Sequence, residues 1–164
     1  MGTHGLTELL GVHYGKKYFK KLIIFRPHNV YGSNMGHEHV VPEFIKRFKS
    51  LKGKKFKIQG TGNEIRSFIY IDDFLEAFDL IMKKGKHLNV YNIGTSEKVK
   101  IKDLASKLSK IFNKKIILKK SPLSKGGTKV RVPNISKIKK LGFKQKYNLR
   151  KGLLKTLLIK NNFN

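Results

Sequence analysis

The feature that constrains this chain most is a short run, Leu22-Ile23-Ile24-Phe25, apolar at every position and stopped by Pro27. A strand with one wet face alternates apolar and polar residues. One with no polar position is expected to be covered on both faces, as in a parallel sheet flanked by helices. Residues 28–39, rich in His, Asn and Gly, read as loop. In an open α/β sheet of this kind, ligands bind beyond the carboxyl ends of the parallel strands.

The rest of the chain alternates between helical and strand periods. Leu6, Leu9, Leu10 and His13-Tyr14 have helical spacing, and the segment ends in lysines that suit a helix carboxyl terminus. Pro42 opens a second helix, Glu43 to Leu51. Phe56-Lys57-Ile58 alternates as a strand, Gly60-Thr61-Gly62-Asn63 is expected to make a tight hairpin, and Ile65–Ile71 alternates again. Asp72 or Asp73 is expected to cap a helix running to Lys84. Val90–Gly94 and Ile116–Leu118 read as strands, with an amphipathic helix from Lys102 to Phe112 between them. Residues 121–132 look like a mobile loop, followed by two short helices, Ser136–Leu141 and Leu149–Lys160. The fold class is α/β.

Three clusters could do chemistry. The first is Arg26-Pro27-His28-Asn29-Val30-Tyr31-Gly32, which follows the apolar strand. It places Asn29, with one acceptor and two donors, where a phosphate or sugar could sit, although Asn29 and Gly32 also suit a plain turn. The second is Gly60-x-Gly62-x-x-x-Arg66-Ser67-Phe68-x-Tyr70-x-Asp72-Asp73. Its glycines precede a strand rather than a helix and lack the third glycine of a dinucleotide fingerprint. Arg66 has the geometry for bidentate capture of a phosphate, or for a surface ion pair. The third, Gly126-Gly127-Thr128-x-x-Arg131-x-Pro133-Asn134-Ile135-Ser136-Lys137, is a basic glycine-rich loop able to fold over a diphosphate or simply to face water.

Taken in order, "RPHNVYG", "VVPEFI", "GTGNEIRSFIYIDD", "YNIG", "RVPNISKIKKLGF" and "LRKGL" resemble the extended short-chain dehydrogenase/reductase family acting on nucleotide sugars. The resemblance covers nearly the whole chain from about Leu6. It implies the carboxyl-terminal part of a Rossmann-type enzyme: the last strands of the parallel sheet and a small α/β substrate-binding domain. Residues 1–39 would hold the end of the catalytic helix, a late Rossmann strand and the substrate loop. Residues 40–164 would form the substrate domain, with 88–95 returning to the Rossmann sheet. The resemblance implies that Asn29 contacts the sugar diphosphate, Val41 and Pro42 pass the base, Arg66 grips the diphosphate and Arg131 adds a second, looser Arg. Ser67 and Asn134 stand where many members carry Asp.

The family's glycine-rich cofactor turn has no counterpart in the sequence. NAD is therefore implied for a complete enzyme, where it takes a hydride from the sugar ring, and is not expected on this chain alone. Glu8 aligns with the Glu that follows the family's catalytic Tyr-x-x-x-Lys, which puts His4 at the Lys and the Tyr before Met1. Tyr147-Asn148-Leu149-Arg150-Lys151 matches that motif literally, but no family-like strand precedes it. No catalytic residue is assigned. His37-Glu38-His39 lacks a third ligand at metal-binding spacing, so no metal is expected; Glu38 and His39 could line the sugar pocket.

Charge and composition set the remaining expectations. Net charge is +27, and residues 104–164 contain no Asp or Glu. That suits a polyanion or a membrane surface as partner, or simply lysine on every solvated face. Lysine far outnumbers arginine and no aromatic stacking motif interleaves the charges, so nucleic acid is not the expected partner. A hydrophobic content of 39% supports a real core. With no cysteine, no apolar run long enough to span a membrane and no signal-peptide pattern, the expected setting is the cytoplasm. The expected partners are a nucleotide-diphosphate sugar, a separate amino-terminal Rossmann half and, in the complete family, a second subunit. The rival readings are a nucleotide- or polyanion-binding module without chemistry and a basic nucleic-acid-binding protein. Without a cofactor half, Ile23, Ile24 and Phe25 should lie exposed beside open sheet edges.

Overall fold

The computed structural model describes residues 3–36, 38–122 and 127–161. Helix α1 (Thr3–Tyr18) leads to strand β1 (Ile24–Pro27), whose parallel partner is β6 (Val90–Ile93), with Phe25 opposite Tyr91 and Arg26 opposite Asn92. Helix α3 (Ile71–Lys84) and the short α5 (Ser136–Lys140) cover this pair, packing Ala77, Ile81 and Ile138 against Tyr91 and Ile93. Among the described residues β1 has no second strand beside it, so its other edge stays open. Phe25 is 41% exposed despite its edge contacts with Phe74 and Phe78, and Ile23 and Ile24 are half-buried. Cover on both faces, as the apolar run demands, is not supplied by these residues.

The second core lies among α2 (Val40–Ser50), β3 (Lys55–Gln59), α4 (Ile101–Ile111), β8 (Ile117–Ser121) and α6 (Leu149–Asn161). Strand β3 alternates as its sequence requires, with Phe56 and Ile58 inward and three polar residues outward. Phe56 stacks on Phe48 at 4.4 Å between centroids, and Phe48 stacks on Phe112 at 5.7 Å. The last carbonyls of a helix have no i+4 donor within it. At the end of α2, Lys114 Nζ donates to Phe48 O, Lys49 O and Leu51 O at 2.7, 3.2 and 3.1 Å. Helix α6 approaches so closely at Gly152 that any Cβ there would collide with the Tyr31 hydroxyl, which donates to Leu149 O.

Several local expectations change. The turn after β3 makes no hairpin: β3 pairs in parallel with β8. Strand β4 (Ile65–Arg66) pairs antiparallel with β7 (Val99–Lys100) and parallel with β9 (Val130–Arg131). The strand expected from Ile65 to Ile71 breaks at Ser67-Phe68; β5 (Ile69–Tyr70) then pairs with β2 (Val30–Tyr31). Neither aspartate caps α3 by a side-chain hydrogen bond. Asp73 is fully buried and accepts from Lys146 N and Tyr147 N, both at 3.0 Å, because the segment entering α6 needs acceptors there. Asp72 pairs with Lys155 at 2.7 Å. Within the supposed loop 121–132, Ser121 closes β8 and Val130–Arg131 form β9, while residues 123–126, Gly126 included, lie outside the described residues. Among the described residues no helix is long and apolar enough to cross a membrane.

Candidate functional site

Three walls enclose a cavity of about 660 Å3. One is the approach to α2 with its first turns (Glu38, His39, Val40, Glu43, Phe44, Arg47). Another is the β3–β8 pair (Lys57, Ile58, Gln59, Ser121). The third is β4 and β9, bearing Arg66 and Arg131, and Asn29 also lines the cavity. The third wall depends on a locked turn. Gly60 and Gly62 take φ of +80° and +84°, which side chains with a Cβ resist. The Glu64 carboxylate fills the turn, accepting from Thr61 N at 3.0 Å, Thr61 Oγ1 at 3.0 Å and Gly62 N at 2.8 Å. Burial pushes the Glu64 pKa up, but these hydrogen bonds favour the carboxylate more and hold it below its ordinary value.

The turn delivers β4 so that Arg66 stands directly opposite Arg131 in parallel register. Arg66 is oriented by two backbone acceptors, Ile65 O and Thr128 O, each at 2.8 Å. Among the described residues neither arginine has an ion pair. Like charges opposite one another in a sheet repel. Burial and then the Arg131 charge lower the Arg66 pKa, partly offset by Glu64. Two guanidiniums, neither in an ion pair among the described residues, make a site for an anion carrying more than one charge.

Asn29 adopts φ +44°, a left-handed conformation that Asn tolerates better than most residues. Its Nδ2 donates to Ser67 O at 2.8 Å and its backbone carbonyl accepts from Ile69 N at 3.3 Å, which fixes it beside the strand that carries Arg66. Asn29, Arg66 and Arg131 therefore share one cavity. Val41 and Pro42 do not line it: they are buried in the core beneath α2. One residue along a helix is a turn of about 100°, so Val40 and Glu43 face the cavity instead. Glu38 and His39 line it, while His37 lies outside the described residues. Sequence reasoning assigned no role to Arg47, Gln59, Ser121 or Glu64; Glu64 lies inside the Gly60–Asp73 motif, and Arg47 could have been read from its spacing of four from Glu43, with which it pairs at 2.8 Å.

The remaining candidates are structural. Tyr147 Oη is bonded by Lys155 Nζ at 2.8 Å rather than by Lys151, and its ring packs 4.8 Å from that of Tyr70, docking α6. Glu8 grips Arg26 through two bonds of 2.6 and 2.5 Å, tying α1 to the end of β1 and raising the Arg26 pKa. The His4 side chain lies outside the described residues. Ser67, where Asp is usual, is fully buried with no partner for its hydroxyl, and Asn134 Oδ1 accepts from Ser136 N at the start of α5. Among the described residues no three acids or histidines could hold a metal ion.

Parallel strands, crossover helices and a basic cavity define a protein of the Rossmann-type α/β class. The family model for the NAD dependent epimerase/dehydratase family matches residues 5–94. The chain belongs to that family. It is 34% identical to a trifunctional UDP-glucose 4,6-dehydratase/epimerase/reductase of Arabidopsis thaliana, over 94% of this chain and 23% of that protein. It is 42% identical to dTDP-D-glucose 4,6-dehydratase of Dictyostelium discoideum, over 64% of this chain and 24% of that one. Among solved structures, UDP-glucose 4-epimerase of Thermotoga maritima with UDP-glucose superimposes with a TM-score of 0.85 at 29% identity, over 98% of this chain and 52% of that one. The chain thus spans about a quarter of these curated relatives and half of that structure.

A dTDP-glucose 4,6-dehydratase from Bacillus anthracis, solved with NAD, superimposes with a TM-score of 0.82 at 24% identity over 94% of this chain and 49% of that one. The described residues of the present chain contain no Gly-x-Gly-x-x-Gly turn opening a helix, the usual seat of a dinucleotide pyrophosphate.

Proposed function

We propose that this chain is the substrate-holding portion of a nucleotide-sugar epimerase or dehydratase, with its cavity closing around a nucleoside-diphosphate sugar. Arg66 and Arg131 take the diphosphate, and Asn29 supplies a further polar contact at the sugar-diphosphate. Glu38 and His39 add polar wall. The observation that carries the reading is the β4–β9 register, which sets two guanidiniums that make no ion pair among the described residues side by side in one cavity. Val41 and Pro42 support the base only from beneath, by fixing α2. NAD chemistry belongs to residues other than those described, so the 164-residue chain is expected to bind without turnover.

The test is calorimetric titration of UDP-glucose and dTDP-glucose at fixed salt. Arg66→Ala should weaken binding by about 1.5–3 kcal/mol, the scale of hydrogen bonds to a charged group. Equal affinity in wild type and variant removes the assignment. NAD-dependent turnover that disappears in Tyr147→Phe would overturn both the no-turnover expectation and the structural role of Tyr147.

A further inference from the structure

The cavity holds a third arginine of a different kind. Arg47 donates from Nη1 to Glu43 at 2.8 Å and from Nη2 to Lys57 O. Its guanidinium lies over the Phe56 ring at 4.3 Å from the centroid, with Phe44 at 5.6 Å. The ion pair with Glu43 cancels its charge locally, so it is not equivalent to Arg66 and Arg131. A neutralised, stacked guanidinium suits an uncharged planar group more than a phosphate. We infer that Arg47 determines nucleobase selectivity, favouring a base with a carbonyl oxygen at the pyrimidine 4- or purine 6-position over one with an amino group there. This rests on the nucleoside-diphosphate reading of the same cavity.

The chemistry follows from the donor set. A guanidinium has five N–H donors and no acceptor. Two of these donors are engaged, and stacking on Phe56 fixes the plane of the rest. Carbonyl oxygens of uracil, thymine and guanine can accept from that plane. The amino group of cytosine or adenine meets it donor to donor. Gln59, which also lines the cavity, carries both a donor and an acceptor and can serve either base edge. Selectivity therefore lies with Arg47.

UDP and CDP, which differ in a 4-carbonyl with N3–H against a 4-amino group with a bare N3, are the probes, titrated against the full chain at fixed salt. The wild type should prefer UDP by about tenfold, the equivalent of one good hydrogen bond. Arg47→Met keeps the contact with Phe56 and removes the donors. Arg47→Lys keeps the ion pair with Glu43 and removes the planar fork, and it decides the question should Arg47→Met fail to fold. Both variants should bind UDP and CDP within about twofold of each other, while binding still depends on Arg66. Equal wild-type affinities for UDP and CDP, or a preference that survives in Arg47→Lys, overturn this inference and leave the diphosphate reading intact. Absence of any Arg66-dependent nucleotide binding overturns both.

Discussion

Helix α1 and strand β1 are as apolar in sequence as α2, β3 and α4, yet the two regions end up in opposite states. Phe44, Ile45, Phe48, Phe56 and Leu104 are sealed, whereas Leu6, Leu9, Leu10, Tyr14 and Tyr18 stay about half exposed. The second region covers itself, because α2 and α4 shield β3 and α6 closes the remaining side. Among the described residues the first has α3 and α5 against one face of its strand pair. Apolar sequence states a need for cover, not where the cover comes from. At roughly 25 cal/mol per Å2 of apolar area, leaving such a face wet forfeits stability on the scale of a whole small domain. The candidate cavity draws more than half of its lining residues from the sealed region and none from α1 or β1.

The largest expected contrast is in stability. Phe48→Ala should cost about 3–5 kcal/mol in denaturant unfolding, as for other buried aromatic truncations. Phe25→Ala, already partly wet, should cost about 1 kcal/mol or less. Equal losses would erase the distinction between the regions. Next in size, Arg131→Ala should weaken UDP-glucose binding by about 1.5–3 kcal/mol, on the same scale as Arg66→Ala, because Arg131 stands on a strand rather than in a loose loop. Phe25→Ala should leave that binding unchanged, and a shared loss would couple the cavity to the uncovered region.

A smaller effect concerns acid. The Glu64 carboxylate titrates below its ordinary 4.5 in the folded chain. Its contribution is therefore present above pH 4.5 and is lost as pH falls through the lower folded value. Glu64→Gln should flatten the acid-side fall in stability, whereas an unchanged pH profile would deny the carboxylate its role in the turn. The smallest effect on stability is expected from Leu9→Lys with Leu10→Lys, within about 0.5 kcal/mol as for exposed sites. The pair should nonetheless reduce hydrophobic-dye binding and self-association in sedimentation. An original chain that is monomeric and binds no dye would show the α1 face to be harmless.

The long periodic elements were legible in the sequence: α2, α3, α4 and α6 fall within a few residues of their expected bounds. Partner choice was not. The pairing of β3 with β8 and of β4 with β9 joins residues some sixty apart, and two-residue strands have no period to read. That is why Arg131 looked loosely held and the Gly60–Gly62 turn looked like a hairpin. Asn29 and Arg66 could be found because motifs carry them. Arg47 belongs to no motif and reaches the cavity only through the face of α2 it shares with Val40 and Glu43. The same helical geometry turned Val41 and Pro42 inward.

The most direct test of the central claim is NMR of the arginine side-chain Nε–H groups during titration with UDP and, separately, uridine. If the diphosphate lies between the two guanidiniums, UDP should shift the Arg66 and Arg131 resonances together and uridine should move neither. Shifts that are the same for both ligands, or UDP binding that leaves Arg66 and Arg131 unmoved, would contradict the account.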